Sequence, residues 1–252
     1  MAIDTGLPSK TLIYYGMEIP SISASRASLY TNVVMQAYNP LCFNGYYEKF
    51  FPNAERFVYW NPARIPVAEV GTMPIRSADG VLANIDLSVA SSREFVIQRA
   101  LEVMKTNGAH GLFVDDMDHW CITGEDRVNA LSLLTDARIA GIPFFLNRAF
   151  PLAPSIKNLK AVLLENLSAE DIKAANSGDL AWYESFVKLH LPVLKNRQPK
   201  TDIVALTYKT GSLTGYPDTE RRDALIAMLN SFTDETVFSE ISLNTLPPSL
   251  IG

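Results

Sequence analysis

Asp115, Asp116 and Asp118 follow directly on the apolar run Leu112-Phe113-Val114, and His119 and Trp120 come next. A short apolar run reads as a buried strand, so the acids belong at its C-terminal end. In parallel α/β folds that end is where ligands bind. Glu165 has the same setting, closing the apolar run Ala161-Val162-Leu163-Leu164. Carboxylates are rarely buried without a partner. Two of them flanking one bond can do acid/base or nucleophilic work on a glycoside: one donates a proton to the leaving oxygen, the other attacks carbon or activates water. Partial burial and shared charge would separate their pKa values. Asp115 and Glu165 are therefore the expected catalytic pair.

Other strand ends carry polar groups. Asn147 and Arg148 follow one apolar run, Tyr208 and Lys209 another, Tyr59, Trp60 and Asn61 a third, and Tyr14 and Tyr15 a fourth. Tyr and Trp combine an apolar face with a polar handle. Tyr14, Tyr59, Trp60, Asp116, Asp118, His119, Asn147, Arg148 and Tyr208 are the expected substrate contacts.

Two further readings of the acids stay open. Asp115, Asp118 and His119 could ligate Mg²⁺ or Zn²⁺, although the second histidine expected for zinc is not nearby. The acids could also pair structurally with Arg148 or Lys209. His110 precedes its strand and belongs to the opposite, stability-bearing face. His190 falls late in a helical segment, and Cys121, close to the acids, lacks the depressed-pKa setting beside a base that a thiol nucleophile wants. No Gly-x-Ser-x-Gly, Gly-x-Gly-x-x-Gly or Walker pattern occurs. Neither a metal nor a cofactor is expected.

Composition narrows the field. Of 252 residues, 48% are hydrophobic and 19% charged, enough apolar surface for a large core and too much for disorder. The net charge of −5, with no long basic run, argues against a nucleic-acid partner. Two cysteines, Cys42 and Cys121, could form one disulfide or none. The first residues lack a basic segment followed by an apolar one, and no apolar run is long enough for a membrane span. The chain is expected to be cytoplasmic, or the mature form of an exported protein.

The elements that must position these residues follow a strand–helix rhythm. Strands are expected at 11–16, 33–38, 56–60, 112–114, 142–147, 161–165, 202–208 and, weakly, 235–238. A long connection rich in Pro and Gly, with an extended stretch at 81–87, precedes a helix running to about Lys105. Ser91 and Glu94 have capping-box spacing at its start, and Asn107-Gly108 ends it. Further helices are expected at 124–139, 179–194 and 218–230. Eight strands with intervening helices match an α/β (β/α)8 barrel in one domain spanning residues 1–252, with residues 1–10 a flexible N-terminus. A doubly wound sheet of six or seven strands is the alternative.

On these motifs the chain resembles the endo-α-1,4-polygalactosaminidase-like glycoside hydrolases (family 114) and related (β/α)8-barrel proteins. That family shows Asp-Leu, a helix, then Gly-Phe-Asp-Gly-Val-Phe-Leu-Asp-x-x-Asp. Here Asp86-Leu87 and the segment Gly108 to Asp118 are similar to it. Asn147-Arg148-Ala149-Phe150 is similar to the family's Asn-Arg-Gly-Phe, and Glu165-Asn166 to its Glu-Ser. The resemblance spans roughly residues 11 to 243. It implies a barrel, catalytic roles for Asp115 and Glu165, and a substrate-holding role for Asp118, with Asp86 among the substrate contacts. It also implies endo-acting cleavage of an α-linked amino-sugar polymer, so the expected partner is a poly- or oligosaccharide, including a cationic one; the alternatives are a carbohydrate-binding barrel that kept the fold without turnover and a carboxylate-metal-dependent hydrolase. Departures from the pattern include Ala149 where Gly is usual, Asn166 where Ser is usual, and His110 where the motif has an acid.

Overall fold

The computed structural model describes residues 11–14, 24–28, 30–121, 123–165, 189–196 and 201–206. Ten strands lie among them: β1 (Thr11–Tyr14), β2 (Asn32–Met35), β3 (Glu55–Trp60), β4 (Arg64–Pro66), β5 (Ile75–Ala78), β6 (Leu82–Ile85), β7 (Gly111–Val114), β8 (Phe144–Asn147), β9 (Leu159–Glu165) and β10 (Asp202–Leu206). Seven form one parallel sheet in the order β1-β2-β3-β7-β8-β9-β10. Every neighbour in the sheet is the next of these strands along the chain. Sequential parallel strands with helical crossovers are the arrangement of a (β/α)8-type barrel, and this is the fold. The expected eighth strand at 235–238, the helix at 218–230 and most of that at 179–194 lie outside the described residues.

Alternation along the strands divides the core in two. Ile13, Val34, Phe57, Phe113, Phe145, Ala161, Leu163 and Val204 form one cluster, with at least one residue from each strand of the sheet. This is the barrel interior, filled by side chains. Phe113 and Phe145 meet edge-on at 5.2 Å between ring centroids, and Phe57 meets Phe145 at 5.7 Å. Residues of the other parity, among them Leu12, Val33, Val58, Leu112, Leu146 and Val162, belong to the larger layer shared with the helices.

The long connection between β3 and β7 is more ordered than its Pro and Gly content suggests. It folds into a small antiparallel sheet of order β4-β6-β5, and the extended stretch at 81–87 supplies its central strand. Asp79 makes the β5–β6 turn by accepting from the amides of Val81 and Leu82. The helix Ala90–Asn107 follows and ends at Gly108, which adopts the left-handed conformation with φ 60°. Its start differs from the expected capping box. Val89 is the N-cap, with no side-chain cap, because the helix begins two residues earlier than a Ser91 cap requires and draws Ser91 into its first turn. Glu94 instead accepts from Gln98 and Arg138. The next helix, Gly124–Leu134, is shorter than expected. Beyond it Asp136 accepts from the backbone and side chain of Arg138 and turns the chain.

Both cysteines are free. Cys42 is buried against Met35, and Cys121 donates to the Met117 carbonyl. Burial pushes the Cys42 thiol up to about 11 and the Cys121 thiol up to about 12, with help from Glu48 and Asp118 respectively.

Candidate active site

Asp115 is the first residue beyond β7, and its amide continues the ladder by donating to the Trp60 carbonyl, 3.1 Å away. It shares the inward parity of Phe113. Three donors converge on its two carboxylate oxygens. Tyr59 donates its hydroxyl to Oδ2 at 2.9 Å, Asn147 donates its side-chain amide to Oδ1 at 2.7 Å, and the Asp116 backbone N–H donates to Oδ1 at 2.9 Å. The register explains the grouping. Tyr59 pairs with Phe113 across β3 and β7, and Val114 pairs with Leu146 across β7 and β8. One residue further on, Asn147 lies opposite Asp115. Tyr59 also stacks on Phe113, with ring centroids 6.1 Å apart. Burial first, then the negative charge of Asp115 and its hydrogen bond, push the Tyr59 phenol far above its usual range. The hydroxyl therefore stays protonated and acts as a donor.

The backbone around the acids is unusual. Asp116, Arg148 and Ala149 all have positive φ, of 58°, 52° and 49°. Side-chain-bearing residues seldom adopt that region, and such residues cluster at functional sites. All three fall just after β7 or β8. The Asp116 carboxylate accepts from Asn61, whose own oxygen accepts from the amides of Ala63 and Arg64. The strand ends of β3 and β7 are thereby tied to the start of the small sheet.

Asp118 sits in the single helical turn Met117–Trp120. Its Oδ2 pairs with Arg148 Nη2 at 3.4 Å. The pairing with Arg148 weighed for the acids is thus made by Asp118, one turn beyond Asp115. Asp118 Oδ1 and Arg148 Nε are buried without a hydrogen-bond partner among the described residues.

The expected contacts fall into three groups. Asp115, Asp116, Asp118, Tyr59, Asn147 and Arg148 come together at the C-terminal ends of β3, β7 and β8. Trp60 and Asp86 do not join them. Trp60 has the opposite parity from Tyr59 and is buried in the layer under the helices. Asp86 spends Oδ1 on Ser88 and on Arg76 of β5. For Tyr14, His119 and Glu165 only the backbone is described, and Tyr208 lies outside the described residues. Glu165 is the last residue of β9, paired with Leu206 of β10, at the register position two beyond Leu163 of the inner core. Among the described residues no group of three or more His, Cys, Asp or Glu side chains could hold a metal ion.

Sequence reasoning missed Arg76 and Asp126. Asp126 carried a signal: Thr123 and Asp126 have the spacing of a reciprocal helix cap, and the Thr123 hydroxyl accepts from the Asp126 amide at 3.0 Å. Arg76 carried none, because its partners lie on other elements.

No helix among the described residues is long and apolar enough to cross a membrane. No family model and no curated protein sequence matches the chain. Solved structures do. The chain is similar to the glycoside hydrolase domain of PelA from Pseudomonas aeruginosa, at 24% identity and TM-score 0.66, over 98% of this chain and 97% of that one. It is similar to Aspergillus fumigatus Ega3, solved in complex with galactosamine, at 12% identity and TM-score 0.56, over 94% and 91% of the two chains. The endo-β-N-acetylglucosaminidase of Cordyceps militaris aligns at 10% identity and TM-score 0.52, over 95% and 82%. At these identities the likeness establishes the architecture: the chain has a glycoside-hydrolase-like barrel fold.

Proposed function

We propose that this protein is a glycoside hydrolase that cleaves an α-linked amino-sugar polymer in endo fashion, with Asp115 and Glu165 as its two carboxylates. The observation that carries the reading is the threefold hydrogen bonding of Asp115 at the C-terminal end of a barrel strand. A carboxylate held from three sides by donors has a fixed orientation, which acid/base or nucleophilic work at one atom requires. Glu165 supports the pairing by its register, two strands away in the same sheet. Likeness in fold to a glycoside hydrolase domain and to a protein solved with galactosamine supports the class of substrate.

Roles follow from surroundings. Glu165 emerges from an apolar strand and is the proton donor to the glycosidic oxygen. The bond from that oxygen to the anomeric carbon breaks as the proton arrives. Asp115 attacks that carbon or takes a proton from the water that does. Asp116 adds negative charge beside Asp115, while Arg148 offsets that of Asp118; the remaining negative charge favours a sugar bearing a free amine over its N-acetyl form.

The test is Asp115→Asn and Glu165→Gln, measured for turnover and for binding on α-linked galactosamine oligomers and their N-acetylated counterparts. Each variant should lose about 10²–10⁴-fold in kcat while keeping its fold and much of its binding. Glu165→Gln should be least impaired on substrates with a good leaving group, which needs no proton. Binding should favour the free amine and weaken with added salt. Near-wild-type turnover in either variant would refute the pair.

A further inference from the structure

The segment from Asp115 to Cys121 is gripped near both of its ends. At its start Asn61 holds Asp116. At its far end the guanidinium of Arg76 lies over the Trp120 ring, 3.9 Å from its centroid. The same guanidinium donates from Nη1 to Asp126 Oδ1 at 2.8 Å and from Nε to Asp86 Oδ1 at 3.3 Å. Four separate pieces of chain meet at this one side chain: β5, the residue after β6, the turn carrying Trp120, and the first turn of the helix Gly124–Leu134.

We propose that Arg76 is a positioning residue that locks the small antiparallel sheet onto the loop carrying Asp115, Asp116 and Asp118, and so fixes the geometry of the site. An ordinary surface ion pair contributes little. This one differs in what it grips. The Trp120 side chain is only 3% exposed, and the Asp126 side chain only 12%. Asp126 also accepts the Thr123 hydroxyl, so its carboxylate is fixed from both sides. Planar stacking together with two directed donors is work a guanidinium can do and an ammonium cannot. Between these two contacts lies Asp118, paired with Arg148 and carrying a buried oxygen without a hydrogen-bond partner among the described residues. A loop released at Trp120 would free that pair to rearrange. Displacements of about 1 Å in such groups cost about 10²-fold in rate.

The role in catalysis rests on the glycosidase reading above; the mechanical role does not. Hydrogen–deuterium exchange on the full chain therefore separates them. In Arg76→Ala, peptides covering residues 64–85 and 115–123 should exchange at least about tenfold faster than in the wild type, as locally unlocked segments do. Arg76→Lys should recover only part of the protection, and it carries the test should the alanine variant fail to fold. Arg138→Ala removes another forked arginine, paired with Glu94 and Asp136, and should leave residues 115–123 unchanged. Unchanged exchange at 115–123 in Arg76→Ala, or equal loosening in Arg138→Ala, would overturn the proposal. In turnover assays on the oligomers above, Arg76→Ala should lower kcat by about 10- to 100-fold with a smaller change in KM. A loosened loop with wild-type kcat would overturn the link to the site. If the wild type cleaves no glycan, the functional reading fails while exchange still decides the lock.

Discussion

The Tyr59 hydroxyl connects two facts about the site: its phenol is held in the protonated form, and it is aimed at Asp115 Oδ2. A hydrogen bond to a charged acceptor contributes about 1.5–3 kcal/mol. Tyr59→Phe keeps the ring on Phe113 and removes only the donor. Turnover should fall by about tenfold or more, with oligomer affinity little changed, as steady-state kinetics beside calorimetric binding would measure. Asp115 and Asn147 were legible in the sequence because an apolar run stopping at a polar residue marks the strand end. The partnership of Tyr59 with Asp115 was not, since it depends on the register between two strands separated by the small sheet. Ala149 shows the reverse. Gly is usual there in the resembling family, and the left-handed φ of 49° gives the reason: the backbone needs a conformation that disfavours a Cβ.

Strand β7 shows how tightly one element is constrained. A Cβ on Gly111 would lie 2.4 Å from the Pro143 carbonyl oxygen and 2.9 Å from two ring carbons of Phe57. The backbones of β7 and the approach to β8 meet too closely for any side chain. Gly111→Ala should destabilise the fold by about 1–3 kcal/mol or more, measured by urea denaturation, and should displace the strand on which Asp115 depends. Strand positions were readable from composition, because each strand of the barrel sheet holds an apolar run of three or more residues. Helix starts were less so. Ser91 and Glu94 had the spacing of a cap, yet Glu94 has Arg138 to pair with and Val89 takes the cap position. Of the small sheet only the extended stretch at 81–87 was legible, because β5 is exposed along its whole length and gives no apolar signal.

Across the molecule, the small sheet and its attachment to the barrel both rest on carboxylates and are therefore sensitive to acid. Hydrogen bonds from Arg76 and then Thr123 hold the Asp126 carboxyl below its ordinary value. At Asp86 burial opposes this, but Ser88 and Arg76 outweigh it and the value is again lowered. The amides of Leu82 and Val81, then Arg64, bring Asp79 down to about 2. Groups depressed in the folded state stabilise it fully above their unfolded values, near 4. That stabilisation is lost as pH falls through the folded values, because the unfolded chain takes up protons first. The urea midpoint should drop between about pH 4 and pH 2, and Asp126→Asn should show a smaller drop. A variant with the full wild-type pH dependence would remove Asp126 from the account. At this scale the sequence was most informative. The alternation of apolar strands and helices pointed to a barrel, and the sheet order agrees.

The two free thiols have a practical consequence. With no cystine among the described residues, and with both sulfhydryls driven up toward 11 and 12 by burial, almost no thiolate exists at neutral pH to attack an electrophile. The folded protein should react slowly with iodoacetamide and quickly once unfolded in urea. Its melting temperature should be the same with and without reducing agent. Alkylation rate can then serve as a clock for global opening, and the protein can be handled in oxidising or reducing buffers alike.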